Sequence, residues 1–300
     1  MNILVSGSTG LVGTALIPAL TAAGHEVVRL VRSKSRSPSR ELIGWDPEAN
    51  YIDAAGLEGL DAVVHLAGES IASGRWTALK KARIRDSRVR GTRLLCEALG
   101  HATRPPAVLI CASAVGFYGD RGDEVLTESS SLGTGFLAEV CRDWEGSTNP
   151  ARQKGIQVIN LRFGVILSAH GGALATMLTP FKMGAGGVIG SGRQYMSCIA
   201  VDDCIGAIQH ALSAASLSGP VNVVGPVPVT NREFTKTLGK VLGRPTIFPM
   251  PAFAARLALG EMADELLLSS ARVEPKKLLE SGFQFQYPEL ESALRHVLGK

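Results

Sequence analysis

Residues 1–33 read MNILVSGSTGLVGTALIPALTAAGHEVVRLVRS, and the reading of this stretch decides the fold. Asn2 to Ser6 is short, apolar and rich in branched side chains, the pattern of a strand buried on both faces. Gly7-Ser8-Thr9-Gly10-Leu11-Val12-Gly13 follows at once. Leu11 to Ala23 then carries apolar residues at helical spacing and stops at Gly24, a residue suited to end a helix. His25 to Val31 is a second apolar strand. The whole is a strand-turn-helix-strand unit of about thirty residues.

Each glycine has a separate physical task. Gly7 permits a tight turn from strand to helix. Gly10 lets the backbone come close to a pyrophosphate, and Gly13 lets the helix pack closely on the strand. The helix N-terminus offers free N–H groups and a partial positive charge to an anion. The glycine pattern alone is weak, but its place between a strand and a helix makes a dinucleotide turn the expectation.

The end of the second strand separates the two nicotinamide dinucleotides. An NAD site places Asp or Glu there, on the ribose 2′-hydroxyl. This chain has Val31-Arg32-Ser33-Lys34-Ser35-Arg36 and no acid. Arg32 can stack on adenine and pair with a 2′-phosphate, with Ser33 or Lys34 as further donors. The expected cofactor is therefore NADP(H). Arg36 and Arg40 read as exposed loop charges.

The pattern continues outward from this unit. Leu60–Ala67 reads as a buried strand ending at Gly68, and Trp76–Leu99 as a long helix dense in Lys and Arg. Ala107–Ser113 reads as a strand, Gly135–Trp144 as a helix, and Gln157–Gly164 as a strand. Such alternation specifies an α/β chain, a doubly wound parallel sheet of Rossmann type with helices on both faces. Past residue 168, Gly171-Gly172, Gly184 to Gly187 and Gly190 to Gly192 break the chain repeatedly, and prolines follow. The expected organisation is a dinucleotide-binding domain over 1–168 and a smaller C-terminal substrate lobe over 169–300, with some elements of the second returning to the first.

The bulk numbers exclude several classes. The chain has 300 residues, 45% hydrophobic and 19% charged, enough to bury a large core. A net charge of +4 is too small and too dispersed for a nucleic-acid surface. Cys96, Cys111, Cys141, Cys198 and Cys204 have neither zinc-ligand spacing nor the look of a disulfide framework. Free thiols in a reducing compartment are expected, and no metal. No apolar run reaches the ~18 residues of a spanning helix. A cytoplasmic protein with no membrane partner is the default expectation.

Taken together, the motifs resemble the short-chain dehydrogenase/reductase superfamily in its extended branch of NAD-dependent epimerases and dehydratases. The residues that carry the resemblance are Gly7 to Gly13, His65-Leu66-Ala67-Gly68-Glu69, Cys111 to Gly119 (CASAVGFYG), Arg162 to Leu167 (RFGVIL) and Ile199 to Asp203 (IAVDD). LAGESI at 66–71, FLAEVCRDWE at 136–145 and PFKMGAGGVIGSGRQ at 180–194 point more narrowly to the atypical "epimerase family" subgroup.

The resemblance implies further site residues. Leu66, Ala67 and Gly68 should lie beside the adenosine ribose and pyrophosphate. Arg88 falls where the helix after the third strand approaches the cofactor, Val165 and Ile166 should line the nicotinamide end, and Arg162 belongs to the same group. Active superfamily members carry a Tyr with a Lys four residues later, which pass the proton and hold the ribose, and a Ser on the preceding strand. Ser113 matches that Ser. The Tyr position falls at Phe136 or Leu137 and the Lys position at Val140 or Cys141, so the pair is missing.

Three acid/base candidates remain. Tyr118 follows Ser113 in a loop, with a packed aromatic as the plain alternative. Glu69 follows the third strand, with loop capping as the alternative. Asp202 and Asp203 read first as helix N-caps. Arg193 and Gln194 could form a polar fork for a phosphate or carboxylate.

Two functions stay open. One is an NADP(H)-dependent oxidoreductase or epimerase-like enzyme with a non-standard acid/base, acting on a small polar substrate of which nucleotide-linked metabolites are one class. The other is a non-catalytic NADP(H)-binding protein that senses redox state or binds a partner. The basic helix could form a homodimer contact, but its charge argues against a dry interface.

Overall fold

The structure is a computed structural model that describes residues 1–33 and 41–300. Lys34, Arg36 and Arg40 lie outside the described residues. In chain order, β1 (Asn2–Ser6), α1 (Leu11–Ala22), β2 (Glu26–Arg32), β3 (Leu42–Asp46), β4 (Tyr51–Ile52) and β5 (Ala62–His65) lead to the long α2 (Ala78–His101). Then come β6 (Val108–Ala114), β7 (Val125–Leu126), α3 (Phe136–Gly146), α4 (Asn149–Gln153), β8 (Gln157–Phe163) and β9 (Val165–Leu167). The C-terminal part holds α5 (Gly172–Lys182), β10 (Tyr195–Met196), β11 (Cys198–Ala200), α6 (Val201–Ser213), β12 (Gly219–Val223), β13 (Val229–Thr230) and α7 (Asn231–Leu242). It closes with α8 (Ala252–Leu259), α9 (Glu261–Ala263), β14 (Arg272–Val273), α10 (Lys276–Glu280) and α11 (Leu290–Val297).

One eight-stranded sheet organises the molecule, in the order β12-β8-β6-β5-β1-β2-β3-β4. All neighbours are parallel except β3 and β4. This is the α/β doubly wound architecture that the alternation of strands and helices specifies. Strand order reverses between β1 and β5, which opens a crevice over their C-terminal ends. The strands there are buried because both faces are covered. On one face Leu16 and Leu20 of α1 and Ile205 and Ile208 of α6 pack against Val5, Val64 and Ile110. On the other, Leu95 and Leu99 of α2 meet Leu4, Val63 and Leu109.

The sequence reading misses β3 and β4. Leu42 to Asp46 carries a glycine and too little alternation to stand out, yet Trp45 is buried beside α2 and β3 extends the sheet beyond β2. The chain after residue 168 forms its own apolar cluster from α5, α7 and α11, with Leu174, Phe234 and Leu294. It also returns β12 to the edge of the large sheet beside β8.

Asp202 and Asp203 are not caps. α6 begins at Val201 after Ala200, and the Asp203 carboxylate instead accepts the backbone N–H groups of Gln286 (2.7 Å) and Tyr287 (3.0 Å). The pair is used by the C-terminal segment, which sequence spacing could not reveal. Among the described residues no helix is long and apolar enough to cross a membrane. All five cysteines are free thiols.

Candidate functional site

The glycine turn has the geometry the spacing predicts. Gly7 has φ +67°, and a side chain there would come within 2.8 Å of the Leu66 carbonyl group. A Cβ at Gly13 would run into the Gly7 carbonyl and reach Ser8 Cα at 2.8 Å. α1 therefore stands as close to β1 as backbones allow. Its N-terminus is bare. Gly10 supplies no side-chain cap, the first turn holds no acid, and the hydroxyls of Ser8 and Thr9 make no hydrogen bond among the described residues. Leu11 and Val12 are half-buried, with Val12 packed against the core beneath the turn.

The crevice floor is tied together by a polar chain. The Leu66 and Ala67 N–H groups donate to Ser6 Oγ at 3.0 and 3.2 Å. With its lone pairs so used, the Ser6 hydroxyl donates to His65 Nδ1 at 2.6 Å. His65 Nε2–H then points to Thr92 Oγ1 (3.1 Å), which also accepts from Trp144 Nε1 (2.9 Å). This tautomer follows from the partners. Burial lowers the His65 pKa to about 4, so the ring is neutral and structural.

Arg32 ends β2, the neighbour of β1 in the sheet, and is exposed, with the Ser33 N–H anchored to the Trp45 carbonyl at 3.0 Å. Across the crevice, Glu69 pairs with the buried Lys80 at 2.8 Å, and Lys80 also donates to Ser73 Oγ at 2.7 Å. The Lys80 bond, with Arg83 and Arg32 contributing, holds the Glu69 carboxyl below the usual carboxylate range. Glu69 is thus an ion-paired carboxylate beside a cation cluster, and it cannot serve as a proton donor near neutral pH. Of the acid/base role expected for it, the proton-donor half is corrected accordingly.

Arg88 on α2 reaches over Gly68. A Cβ at Gly68 would lie 3.2 Å from its Cζ. Arg88 Nη1 donates to the carbonyls of Glu69 (3.0 Å) and Ile84 (3.1 Å), and the guanidinium lies 5.0 Å from the Trp144 ring centroid.

At the end of β6 the structure reveals a buried network. Ser113 Oγ donates to Glu145 Oε1 at 2.7 Å. Arg162 grips the same carboxylate in bidentate fashion, Nε to Oε1 and Nη2 to Oε2, both at 2.8 Å. Arg162 Nη1 donates to Tyr118 Oη at 3.0 Å, and its guanidinium stacks 3.5 Å from the Phe117 ring centroid. The Tyr118 hydroxyl faces Asn222 Oδ1 (2.7 Å) and the Thr127 carbonyl (3.0 Å), either of which accepts its one proton.

Two further expectations are corrected here. Tyr118 has no exposed surface, its hydroxyl is spent inside the core, and burial raises its pKa. It is a packed aromatic, unavailable as a proton donor. Arg162 is 3% exposed and committed to Glu145 and Tyr118. It braces β8 against α3 and has no guanidinium face left for a cofactor. Ser113 lies near the end of β6, 2% exposed and with its hydroxyl on Glu145, while Val165 and Ile166 are half-buried on β9, paired with Cys198 and Ile199 of β11.

Glu145 is the residue the sequence reading passes over. It lies four residues beyond Cys141 and eight beyond Leu137, and that spacing of four along one helix was the available signal. Leu137 and Cys141 face the end of β6, since a Cβ at Gly116 would meet Leu137 Cβ at 3.3 Å and Cys141 Sγ at 3.9 Å. Burial pushes the Cys141 thiol up to about 12, so it stays protonated and inert.

The C-terminal lobe also enters the site. The carboxylate of Glu265 accepts the N–H groups of Phe136 (3.0 Å) and Leu137 (3.3 Å), capping α3 from 128 residues or more away in sequence. The polar fork expected from Arg193 and Gln194 does not form. Gln194 is buried and donates to the carbonyls of Ile189 and Leu267, while Arg193 is exposed.

Comparison with known proteins gives the chain its relatives. The description "NAD dependent epimerase/dehydratase family" matches residues 3–225, and a domain of unknown function matches residues 250–297. An epimerase family protein of Mycobacterium bovis is 47% identical over 296 residues, covering 98% of this chain and 97% of its own. The crystal structure of a human epimerase family protein with NADPH superposes with a TM-score of 0.91 at 35% identity, covering 100% of both chains. A nucleoside-diphosphate sugar epimerase of Corynebacterium glutamicum superposes at 0.82 with 40% identity, covering 100% of this chain and 58% of that one. By the extent of these matches the chain belongs to the NAD dependent epimerase/dehydratase family.

Proposed function

We propose that this protein binds NADP(H) across the crevice between β1 and β5 and carries out hydride chemistry on a small polar substrate, with Ser113 and Glu145 handling the proton. The observation that carries the reading is the bare N-terminus of α1 beside Arg32. Unused N–H groups await a pyrophosphate, and an exposed guanidinium with no neighbouring acid on its strand awaits a 2′-phosphate. The residues present fit such a group, because Gly7, Gly10 and Gly13 leave no side chain between the turn and a ligand. The human relative's NADPH supports the same assignment.

When bound, the nicotinamide supplies or accepts the hydride. The chain's own part is to orient the substrate and to move a proton. In the oxidising direction a substrate hydroxyl gives its proton to Ser113 Oγ while the Ser113 proton passes to Glu145 Oε1 over the 2.7 Å bond. Arg162 fixes the carboxylate in the acceptor position. Nucleotide-linked metabolites are the substrate class suggested by the relatives' names.

A second reading, a binding protein without turnover, is favoured by Leu137 and Cys141 on the helix face where Tyr and Lys would stand. One experiment separates the two. The NADPH-loaded protein is mixed with carbonyl and sugar-nucleotide panels and the reduced-nicotinamide absorbance is followed. Turnover that falls about a hundredfold or more in Ser113→Ala supports the enzyme. No oxidation across the panels, with tight NADPH binding retained, favours the second reading.

A further inference from the structure

We propose that Arg88 is the positioning residue for the cofactor's second ribose, supplying from α2 the fixed cation that α3 lacks at Cys141. The inference deepens the NADP(H) reading and rests on it.

The first observation is an unspent guanidinium. Arg88 Nη1 is used on the carbonyls of Glu69 and Ile84, but Nε and Nη2 make no hydrogen bond among the described residues, and no carboxylate stands within ion-pair distance. Neither idle donor is sealed from solvent, and a fork that keeps two donors free is one a ligand can complete. The fork is held in place, with Cζ over the Trp144 ring and the two carbonyls on one edge.

The second observation is where the fork sits. It covers Gly68 at the C-terminal end of β5, and a Cβ there would lie 3.4 Å from both Nη atoms. Arg32 ends β2, and in the sheet order β5-β1-β2 the two arginines lie on opposite sides of β1. A dinucleotide with its pyrophosphate over α1 and its phosphorylated ribose at Arg32 must carry its other ribose toward β5 and β6. That is the side of Arg88, Cys141 and Ser113.

The third is complementarity with α3. Leu137 and Cys141 point at the end of β6 on one helix face, and neither brings a charge. Trp144, one turn on, presents its ring to Arg88, so the cation approaches this face from the neighbouring helix. The Nε and Nη2 donors suit the paired hydroxyls of a ribose.

The test is a ladder of ligands measured by calorimetry on the wild-type chain and on Arg88→Met. The ladder runs from 2′-phospho-ADP, which ends at the pyrophosphate, to 2′-phospho-ADP-ribose, which adds the second ribose, to NADPH. The expected result is unchanged affinity for the first and a loss of about tenfold or more for the other two. Equal loss on all three overturns the proposal in favour of a pyrophosphate contact, and no loss on any overturns it outright. Should Arg88→Met fail to fold, Arg88→Gln, which keeps a donor for Glu69 and Ile84, is read on the same ladder. Wild-type protein that binds none of the ligands would sink the NADP(H) reading itself, a different outcome from an unbroken ladder in the variant.

Discussion

Arg162 and Glu145 meet through two parallel 2.8 Å hydrogen bonds that join the strand β8 to the helix α3. Ser113 Oγ lies on the same carboxylate oxygen as Arg162 Nε. The pair is nearly sealed from water, so removing one partner strands the other charge. Glu145→Ala is expected to destabilise the protein by about 3–5 kcal/mol, with Arg162→Met/Glu145→Leu less damaging than either single change. Urea midpoints of the single and double variants check this. A double variant as damaging as either single change refutes it.

Arg32 sets the choice of dinucleotide under the NADP(H) reading. Arg32→Ala should weaken NADPH binding about tenfold to a hundredfold while leaving NADH nearly unchanged. Competition calorimetry with both cofactors reads the ratio. Parallel loss for the two would mean that the guanidinium meets something common to them.

Gly13→Ala tests the closeness of α1 to β1. The added methyl would strike the Gly7 carbonyl and Ser8 Cα, both backbone atoms with no rotamer to yield. The expected outcome is a destabilisation of about 1–3 kcal/mol together with loss of dinucleotide binding. Thermal unfolding with and without NADPH reports both, and a variant that NADPH still stabilises fully contradicts the expectation.

His65 gives the fold an acid-sensitive component. Burial holds its pKa near 4, against 6.5 in an exposed chain. Between those values the unfolded chain takes up a proton that the folded chain refuses. Stability therefore falls as pH drops from about 6.5 toward 4, by up to about 3 kcal/mol, and the effect is absent above that window. Urea midpoints across pH 4 to 7.5 should show a shallower slope for His65→Asn than for the parent, and identical slopes would exclude it.

Much of this was legible in the residues. The Gly7 to Gly13 spacing between two apolar runs specifies the first crossover, and the absence of an acid at Arg32 carries the cofactor assignment. The missing Tyr and Lys were equally readable, at Phe136 or Leu137 and at Val140 or Cys141. What could not be read was pairing at long range. Tyr118 and Arg162 carry polar groups in a strand-edge motif, which invites a role at the surface. Only packing shows that they turn inward, toward Asn222 and Glu145. The ion pair of Glu69 could not be read because Lys80, eleven positions on, meets it only when α2 folds back over the loop. Glu145 was hidden in plain view, since its partners Ser113 and Arg162 come from two other elements.

The carboxylate of Glu265 carries one last implication. Two amides at the head of α3 wait for a residue more than a hundred positions downstream, so synthesis and assembly run in different orders. A polypeptide halted before that point would own every strand from β1 to β13 yet leave the first turn of α3 frayed. Residues 250–297, the stretch with its own domain match, therefore act as a closing stitch for the front half. Truncation there should be felt at Ser113 rather than only at the tail.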